Sequence, residues 1–388
     1  MTVLWILTTL LLVYIYAGYP VLLGLLAWLF PVAHKTDEAL EPPVTLIISA
    51  YNEEKMIGTK LENALELDYP PEKLTIMVVS DASSDRTDQI ARSFENRAVV
   101  LIRSEERKGK TAGLNTAMEK VVSDIVVFSD ANALYQRNTI RKLVRHFSDE
   151  QVGYVVGHAR YETCEDSAAG QSEGAYWDLE IRIKIWESAF SSVVGGDGAL
   201  YAIRRSLWEP LRDTDINDFV NPLQIIAKGF RGIFDPEAVC FEKPAGDFQR
   251  EFGRKVRIAN RSFNGILRVP QVLNILKRGR FAWQVLSHKL LRWLSLYIIT
   301  LHFFLCLSAA FTGMGGALPV MFLGLYGTMA FLALIGYRKD RKGIRCSKIF
   351  FLPYYFCLMN IAAALGVWLR LKGEIITTWE TVREKPSL

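Results

Sequence analysis

Paired cysteines are what this chain lacks most plainly. Its five cysteines (Cys164, Cys240, Cys306, Cys346 and Cys357) show no paired spacing, and two of them fall in apolar runs. That excludes a disulfide framework and a zinc cluster. Internal repeats and low-complexity stretches are also missing, which excludes a solenoid. Charge is missing locally: residues 3–30, 294–336 and 349–369 carry almost none. The net charge is only +5, and much of it sits beside those runs, in Lys277-Arg278-Gly279-Arg280 and the 338–348 loop. Anionic lipid headgroups explain that placement better than nucleic acid, so membrane lipids are expected partners and nucleic acid is not.

The 388 residues are 50% hydrophobic, with a mean hydropathy of +0.15. The first apolar run has no basic residue before it and no small-x-small site after it, which points to a retained helix rather than a signal peptide. Runs 294–312, 318–336 and 349–369 each approach the roughly 20 residues that cross a bilayer. Arg338, Lys339, Arg341, Lys342, Arg345 and Lys348 crowd the last link, so that link is expected to be cytoplasmic. Counting back puts the soluble block in the cytosol and the N-terminus outside, and parity puts the C-terminal tail outside too. The expected division is a membrane helix over 1–32, a cytosolic domain over 33–250 and amphipathic interfacial helices over 251–291. Three membrane helices over 292–370 and a short tail over 371–388 complete it.

Inside the soluble block, short apolar strands alternate with helices. Strands are expected over 44–49, 74–79, 99–102 and 125–128, with helices between them. Each strand is apolar enough to be buried on both faces, which predicts a doubly wound α/β sheet. Such a sheet binds its ligand at the C-terminal strand ends. Polar groups stand there: Asn52-Glu53, Asp81, and Asp130 with Asn132. After residue 150 the alternation fades. Helix 218–228 is expected to be interrupted by Pro222 and stopped by Gly229.

Each group has a plainer competing reading. A lone aspartate after a strand is usually a turn former, but Asp85 and the serines of 80–84 can serve the following helix, leaving Asp81 for a ligand. Asp130-Ala131-Asn132 offers hard oxygens that suit a divalent cation on a diphosphate, though a D-x-N triplet is common. Lys110 and its neighbours in Arg107-Lys108-Gly109-Lys110-Thr111-Ala112-Gly113 join cations, glycines and a helix start, favouring phosphate. The spacing is not that of a P-loop, and a solvated basic loop is the competitor. Trp177 and Trp186 are candidates for sugar stacking, with core packing as the alternative.

Taken in order, these features resemble the family 2 glycosyltransferases, in particular the membrane-integrated branch of cellulose, chitin and hyaluronan synthases. The resemblance runs over Ala50–Glu54, Asp81 with Asp85, 110–115, Asp130-Ala131-Asn132, 195–205, Asn217-Asp218, 254–257 and the trailing spans. It implies a GT-A fold, Rossmann-like and doubly wound, with transmembrane helices, and a nucleotide-sugar donor, most often a UDP-sugar. By resemblance Tyr51, Glu53 and Asp81 hold the nucleoside. Asp130 and Asn132 match the D-x-D element for diphosphate and Mg2+ or Mn2+. Asp218 matches the catalytic base, and Asp197 the acceptor-facing segment. Lys110 is a donor-side cation, as are Arg254 and Arg257, which fall on the Q-(Q/R)-x-R-W element. Asn132 replaces an aspartate, while Arg254 and Ile258 replace the element's Gln and Trp. The missing Trp speaks against processive synthesis.

The leading expectation is an inverting glycosyltransferase of the cytoplasmic membrane, transferring hexosyl or hexosaminyl groups to a polysaccharide or lipid-linked acceptor. Single addition to a lipid such as a polyprenyl phosphate is the alternative. A non-catalytic nucleotide-sugar scaffold is a third reading, and a nucleotidyltransferase would leave the spans without a purpose. Three trailing spans are few for an unaided channel, which points to self-association or an export partner.

Overall fold

All seven residues of 44–50 are buried on both faces, as the middle of a parallel sheet requires. The computed structural model describes residues 2–161, 168–242, 248–342, 344 and 347–376. Ahead of the sheet, α1 (Thr2–Val13) and α2 (Tyr19–Leu29) run on through a π-helical turn, Tyr14–Gly18. The strands are β1 (Val44–Ala50), β2 (Leu74–Ser80), β3 (Val99–Arg103), β4 (Ile125–Asp130), β5 (Leu134–Tyr135), β6 (Val152–Tyr161), β7 (Tyr201–Arg204) and β8 (Arg231–Glu242). They form one sheet in the order β3-β2-β1-β4-β7-β6-β8-β5.

β1 pairs in parallel with β2 on one side and β4 on the other, Val44 opposite both Leu74 and Ile125. Strand order reverses between β1 and β4, so their C-terminal ends form the crevice where such sheets bind ligands. Side-chain alternation sorts the core into two layers. Leu46 and Ile48 pack under α3 (Ile57–Leu65), with α4 (Thr87–Arg92) beside it. Ile47 and Phe128 pack under α5 (Lys110–Lys120) on the other face. α6 (Thr139–Val144) and α7 (Ala168–Phe190) follow in the chain. β7 then turns antiparallel to β4 and β6, which makes the sheet mixed where the sequence alternation fades.

Pro222 does not interrupt its helix. α8 is continuous from Asn217 to Lys228 with the proline inside it, and Gly229 ends it in the left-handed region at φ 103°. Beyond β8 come α9 (Phe248–Arg268), α10 (Ile275–Gln284), α11 (Leu291–Thr312), α12 (Leu318–Arg341) and α13 (Lys348–Leu371). Among the described residues, four helices are long and apolar enough to cross a membrane: Thr2–Leu29, Ile275–Thr312, Leu318–Arg341 and Lys348–Leu371.

The last of these is placed in a way parity does not anticipate. Its first turns pack on the end of α12, where Tyr354 donates to Asp340 at 3.0 Å. Its last turns bond α9, with Arg370 donating to Asn264 at 2.8 Å and Asn260 to the Gly366 carbonyl at 3.1 Å. The Ile376 amide then donates to Asn260 at 3.0 Å. Because α9 lies on the sheet domain, with Arg261 bonded to the carbonyls of Asp213 and Thr214, residues 374–376 are on that domain's side, which corrects the expectation that the tail begins opposite it. Among the cations used to orient the last link, Arg345 lies outside the described residues.

Candidate active site

The donor side is built from two laced turns. After β1, Asn52 takes φ 53°, and its side-chain oxygen accepts the Ser84 amide at 2.8 Å. The Glu53 amide donates to Thr87 Oγ1 at 2.7 Å, and the Glu54 amide to Asp85 at 3.0 Å. Glu53 is buried, and the Arg107 guanidinium lies 4.0 Å over the Tyr51 ring. Asp85 also accepts from the Thr87 amide at 3.0 Å, shaping the turn before α4, whose N-cap position is Arg86.

Asp81 is not left over for a ligand in the way expected. Its two oxygens accept the backbone amides of Lys108 and Gly109 at 2.8 and 2.9 Å. It therefore shapes the basic loop, and the loop in turn presents Lys110. From the start of α5, Lys110 donates to Asp130 Oδ1 at 2.6 Å. Asp81 and Asp130 stand at the ends of β2 and β4, two strand spacings or about 10 Å apart across β1. The Lys108–Lys110 turn bridges them.

Asp218 reaches the same place from α8. A Cβ built on Gly198 would lie 3.2 Å from Asp218 Oδ2, 3.6 Å from Asp130 Oδ2 and 3.6 Å from Lys110 Nζ. Glycine is needed here because any side chain would fill the point where these groups meet. Gly196 is held as tightly, since its Cβ would be 2.8 Å from the Asp218 carbonyl. That carbonyl accepts the Gly196 amide at 2.5 Å. Pro222 explains why it can: four residues on, it has no N–H to offer the carbonyl of Asp218. The proline read as a helix breaker instead frees the backbone acceptor that docks the 195–198 loop.

The electrostatics are crowded. Asp218 Oδ1 is buried without a partner. Burial raises the Asp218 pKa, Lys110 opposes that, and Asp197 and Asp130 raise it further. Glu242, at the end of β8, is pushed from the usual 4.5 to about 8 by burial and then by Asp197 and Asp130. Asp197 faces Lys184 Nζ at 3.8 Å, and its Oδ1 accepts the Ala199 amide at 3.2 Å.

Opposite stand the cations of α9. Glu251 holds Arg254 through two bonds of 2.8 and 2.9 Å. Arg261 donates to the carbonyls of Asp213, Thr214 and Asp215. Arg257, three residues from Arg254 on the same helix face, makes no ion pair among the described residues. Burial, then Arg261 and Arg254, lower its pKa to about 10. A half-buried guanidinium crowded by like charge is a site for an anion.

No three carboxylate, imidazole or thiol groups among the described residues gather closely enough to enclose a metal ion. The donor set nevertheless fits a hard divalent cation held jointly with a phosphate-bearing ligand. Asp130 supplies an oxygen, Asn132 follows two residues on, and the carboxylate crowding that raises Asp218 and Glu242 would be relieved by positive charge.

The structure thus brings together Asp130, Lys110, Asp197 and Asp218, with Arg257 near enough to be influenced by both Asp130 and Asp218. Arg254 is engaged by Glu251. Trp186 packs against Gly24 of α2, 3.4 Å from a Cβ there, and so belongs to the core. The Trp177 side chain lies outside the described residues. Sequence reading missed Glu242, Arg261 and Glu187. Glu187 is fully buried and accepts from Tyr19 of α2 at 2.8 Å and from the Val194 amide at 3.0 Å. It also meets His288 at 2.7 Å. Asp178, Glu180, Arg182 and Lys184 stand in the same helix, so nothing in the sequence singles Glu187 out.

Residues 45–211 match the family model for glycosyl transferase family 2. The chain is 26% identical over 259 residues to "Probable glycosyltransferase YdaM" of Bacillus subtilis (strain 168), 63% of this chain and 61% of that one. It is 32% identical over 116 residues to the beta-monoglucosyldiacylglycerol synthase of Synechocystis sp., 29% of this chain and 24% of the relative. The chain therefore spans less than two thirds of the length of these relatives. Its structure is similar to the mannosyltransferase PcManGT from Pyrobaculum calidifontis in complex with GDP-Man and Mn2+. The TM-score is 0.70 at 26% identity, over 95% of this chain and 99% of that one. Residues 45–211 are thus similar to a glycosyl transferase family 2 domain, within a chain that joins a GT-A fold to several long apolar helices.

Proposed function

We propose that the chain is a membrane-bound inverting glycosyltransferase, moving one sugar at a time from a nucleotide-sugar to a lipid-anchored acceptor. One observation carries this reading: Asp218 Oδ2, Asp130 Oδ2 and Lys110 Nζ all lie within 3.6 Å of one point above Gly198. A base, a diphosphate-side carboxylate and a cation share a pocket floored by glycine.

In the proposed reaction the acceptor oxygen attacks the anomeric carbon from the face opposite the leaving nucleotide. The C–O bond to the diphosphate breaks as the new glycosidic bond forms, and Asp218 takes the acceptor proton. Its raised pKa makes the carboxylate a stronger base than an exposed aspartate, and such a role is typically worth about 10²–10⁴ in rate. Lys110 and Arg257 stabilise the charge that grows on the diphosphate. A divalent cation held at Asp130 with Asn132 would add Lewis-acid stabilisation of the same oxygens. Tyr51 and Glu53 line the nucleoside side, Asp81 acts through the Lys108–Lys110 turn, Arg254 reinforces the cationic face and Asp197 faces the acceptor.

The lipid acceptor is supported by Ile258 standing where polymerising members carry Trp, and by similarity to the Synechocystis beta-monoglucosyldiacylglycerol synthase. The donor panel should include UDP- and GDP-sugars, since the similar mannosyltransferase binds GDP-Man. We place the catalytic domain in the cytosol, on the evidence of the basic residues around 338–348. In purified full-length chain with Mg2+ or Mn2+, Asp218→Asn should cut acceptor-dependent nucleotide release by about 10²-fold or more while donor KM changes little. Unchanged release would remove Asp218 from the reaction, and no acceptor-dependent release from the wild type with any donor would favour a nucleotide-sugar-binding scaffold.

A further inference from the structure

Among the apolar helices lies a chamber of about 410 Å³, bounded by α1, α11, α12 and α13. That volume is within the range of ligand sites, about 300–1,000 Å³. Leu12, Ile299, Leu325, Met329, Phe356 and Ile361 give it a hydrocarbon lining. Its few polar groups are occupied with one another. His302 bridges the Thr9 hydroxyl at 2.8 Å and the Tyr326 hydroxyl at 2.7 Å. Asn360 Oδ1 accepts from Tyr16 at 2.9 Å and also from Ser295. A sugar entering would lose water from every hydroxyl and find no replacement, so the chamber is not a glycan path. A hydrocarbon chain would lose nothing.

Two features connect the chamber to catalysis. First, Leu325 and Ile361 line it yet remain 54% and 47% exposed, so it opens sideways between helices, where bilayer lipid would stand. Second, α13 is the wall between the chamber and the catalytic domain. Phe356 and Asn360 face the chamber, while Gly366 sits against the Val256 carbonyl and Ala259 of α9. α9 carries Arg254 and Arg257. α13 thus stands between the chamber and the helix that bears the site's cations.

We propose that this chamber receives one hydrocarbon chain of the acceptor lipid, holding its head at the edge of α13 within reach of Asp218. The inference rests on the proposed transferase reading and deepens it by naming where the acceptor's tail lies. A chain that leaves the bilayer for the chamber gains packing and orientation rather than hydrophobic free energy. Its effect therefore falls on the acceptor's effective concentration at the cleft.

The test uses the full chain in phosphatidylcholine nanodiscs, with C55 polyprenyl phosphate and dioleoylglycerol as separate acceptor arms, each beside a six-carbon-chain homologue. Whichever long-chain probe the wild type glycosylates, Ala330→Trp and Ile361→Trp should raise its apparent KM about ten-fold, with donor KM and transfer to the short homologue retained. Leu334→Trp, outside the chamber, should behave as wild type. Unaltered KM for the long-chain probe in the filled variants overturns the proposal. So does nucleotide release that goes only to a soluble glycan, an outcome that leaves the transferase reading standing. Absence of turnover with every donor overturns both. Because a tryptophan variant can fail to fold, the wild-type chain is also photolabelled with the same probes carrying a mid-chain diazirine. Adducts within 325–330 or 356–361 that unlabelled probe displaces and excess phosphatidylcholine does not are expected. Equal labelling by diazirine phosphatidylcholine, with no competition by the probe, identifies bulk lipid and overturns the proposal.

Discussion

At the scale of single residues, two carboxyl groups of the site, Asp218 and Glu242, are held toward their protonated form by burial and by the carboxylates around them. Glu242 shows it most clearly, with a folded pKa of about 8 against the usual 4.5, set by burial and by Asp197 and Asp130. For an acid raised in the folded state, the stabilising contribution is complete below pH 4.5 and is lost as pH rises through about 8. Thermal unfolding of the purified chain without divalent cation should therefore move to lower temperature across that window. Glu242→Gln should flatten the slope, read by differential scanning fluorimetry. Identical slopes in the two proteins would show that Glu242 is not in this crowd. Asp130 was legible because it stands at a strand end, a position set by local pattern, whereas Asp218, in the first turn of α8, was assigned through the resemblance. Glu242 was not legible. It meets Asp130 and Asp197 only because β8 folds back through the sheet beside β6, a pairing no short window reveals.

At the scale of elements, α8 and the 195–198 loop are locked by a bond that a proline makes available. Pro222→Ala would restore an N–H to compete for the Asp218 carbonyl, now taken by the Gly196 amide. One net hydrogen bond is worth about 0.5–1.5 kcal/mol, so acceptor KM or kcat should worsen roughly two- to ten-fold by the same principle, with unfolding temperature nearly constant. Steady-state kinetics beside a melting curve would check it. A variant kinetically equal to wild type would mean that the loop is held elsewhere. The proline's two roles explain the misreading of 222: the rule that Pro breaks helices counts the lost N–H but not who uses the vacated carbonyl. The four parallel strands were legible, by contrast, because each is a short run buried on both faces and flanked by turn residues. Asp81 was half legible; its position followed from β2, but its two amide partners belong to a loop 27 residues on.

At the scale of the whole molecule, the sheet domain and the apolar helices are joined through specific contacts. Glu187 links α7 to α2, to His288 and to the backbone that leads into the 195–198 loop. α13 lies between α9 and the rest of the bundle, with its end returned to Asn260. Length and hydropathy identified it as long enough to cross, and they carry no information about which partner it lies along. Its course is decided by Gly366, whose missing side chain lets α9 approach to 2.5 Å of the Cβ position. Gly366→Leu should therefore part α13 from α9 and lower sugar transfer, while the isolated span count by protease protection stays the same.

The most direct measurement follows the anomeric configuration of the first product by NMR, in wild type and Asp218→Asn, with a donor from the UDP- and GDP-sugar panel. Sugar transfer around residues 130 and 218 predicts a single product inverted at the anomeric carbon, nearly abolished in the variant. A product of retained configuration, or equal product from both proteins, would contradict it.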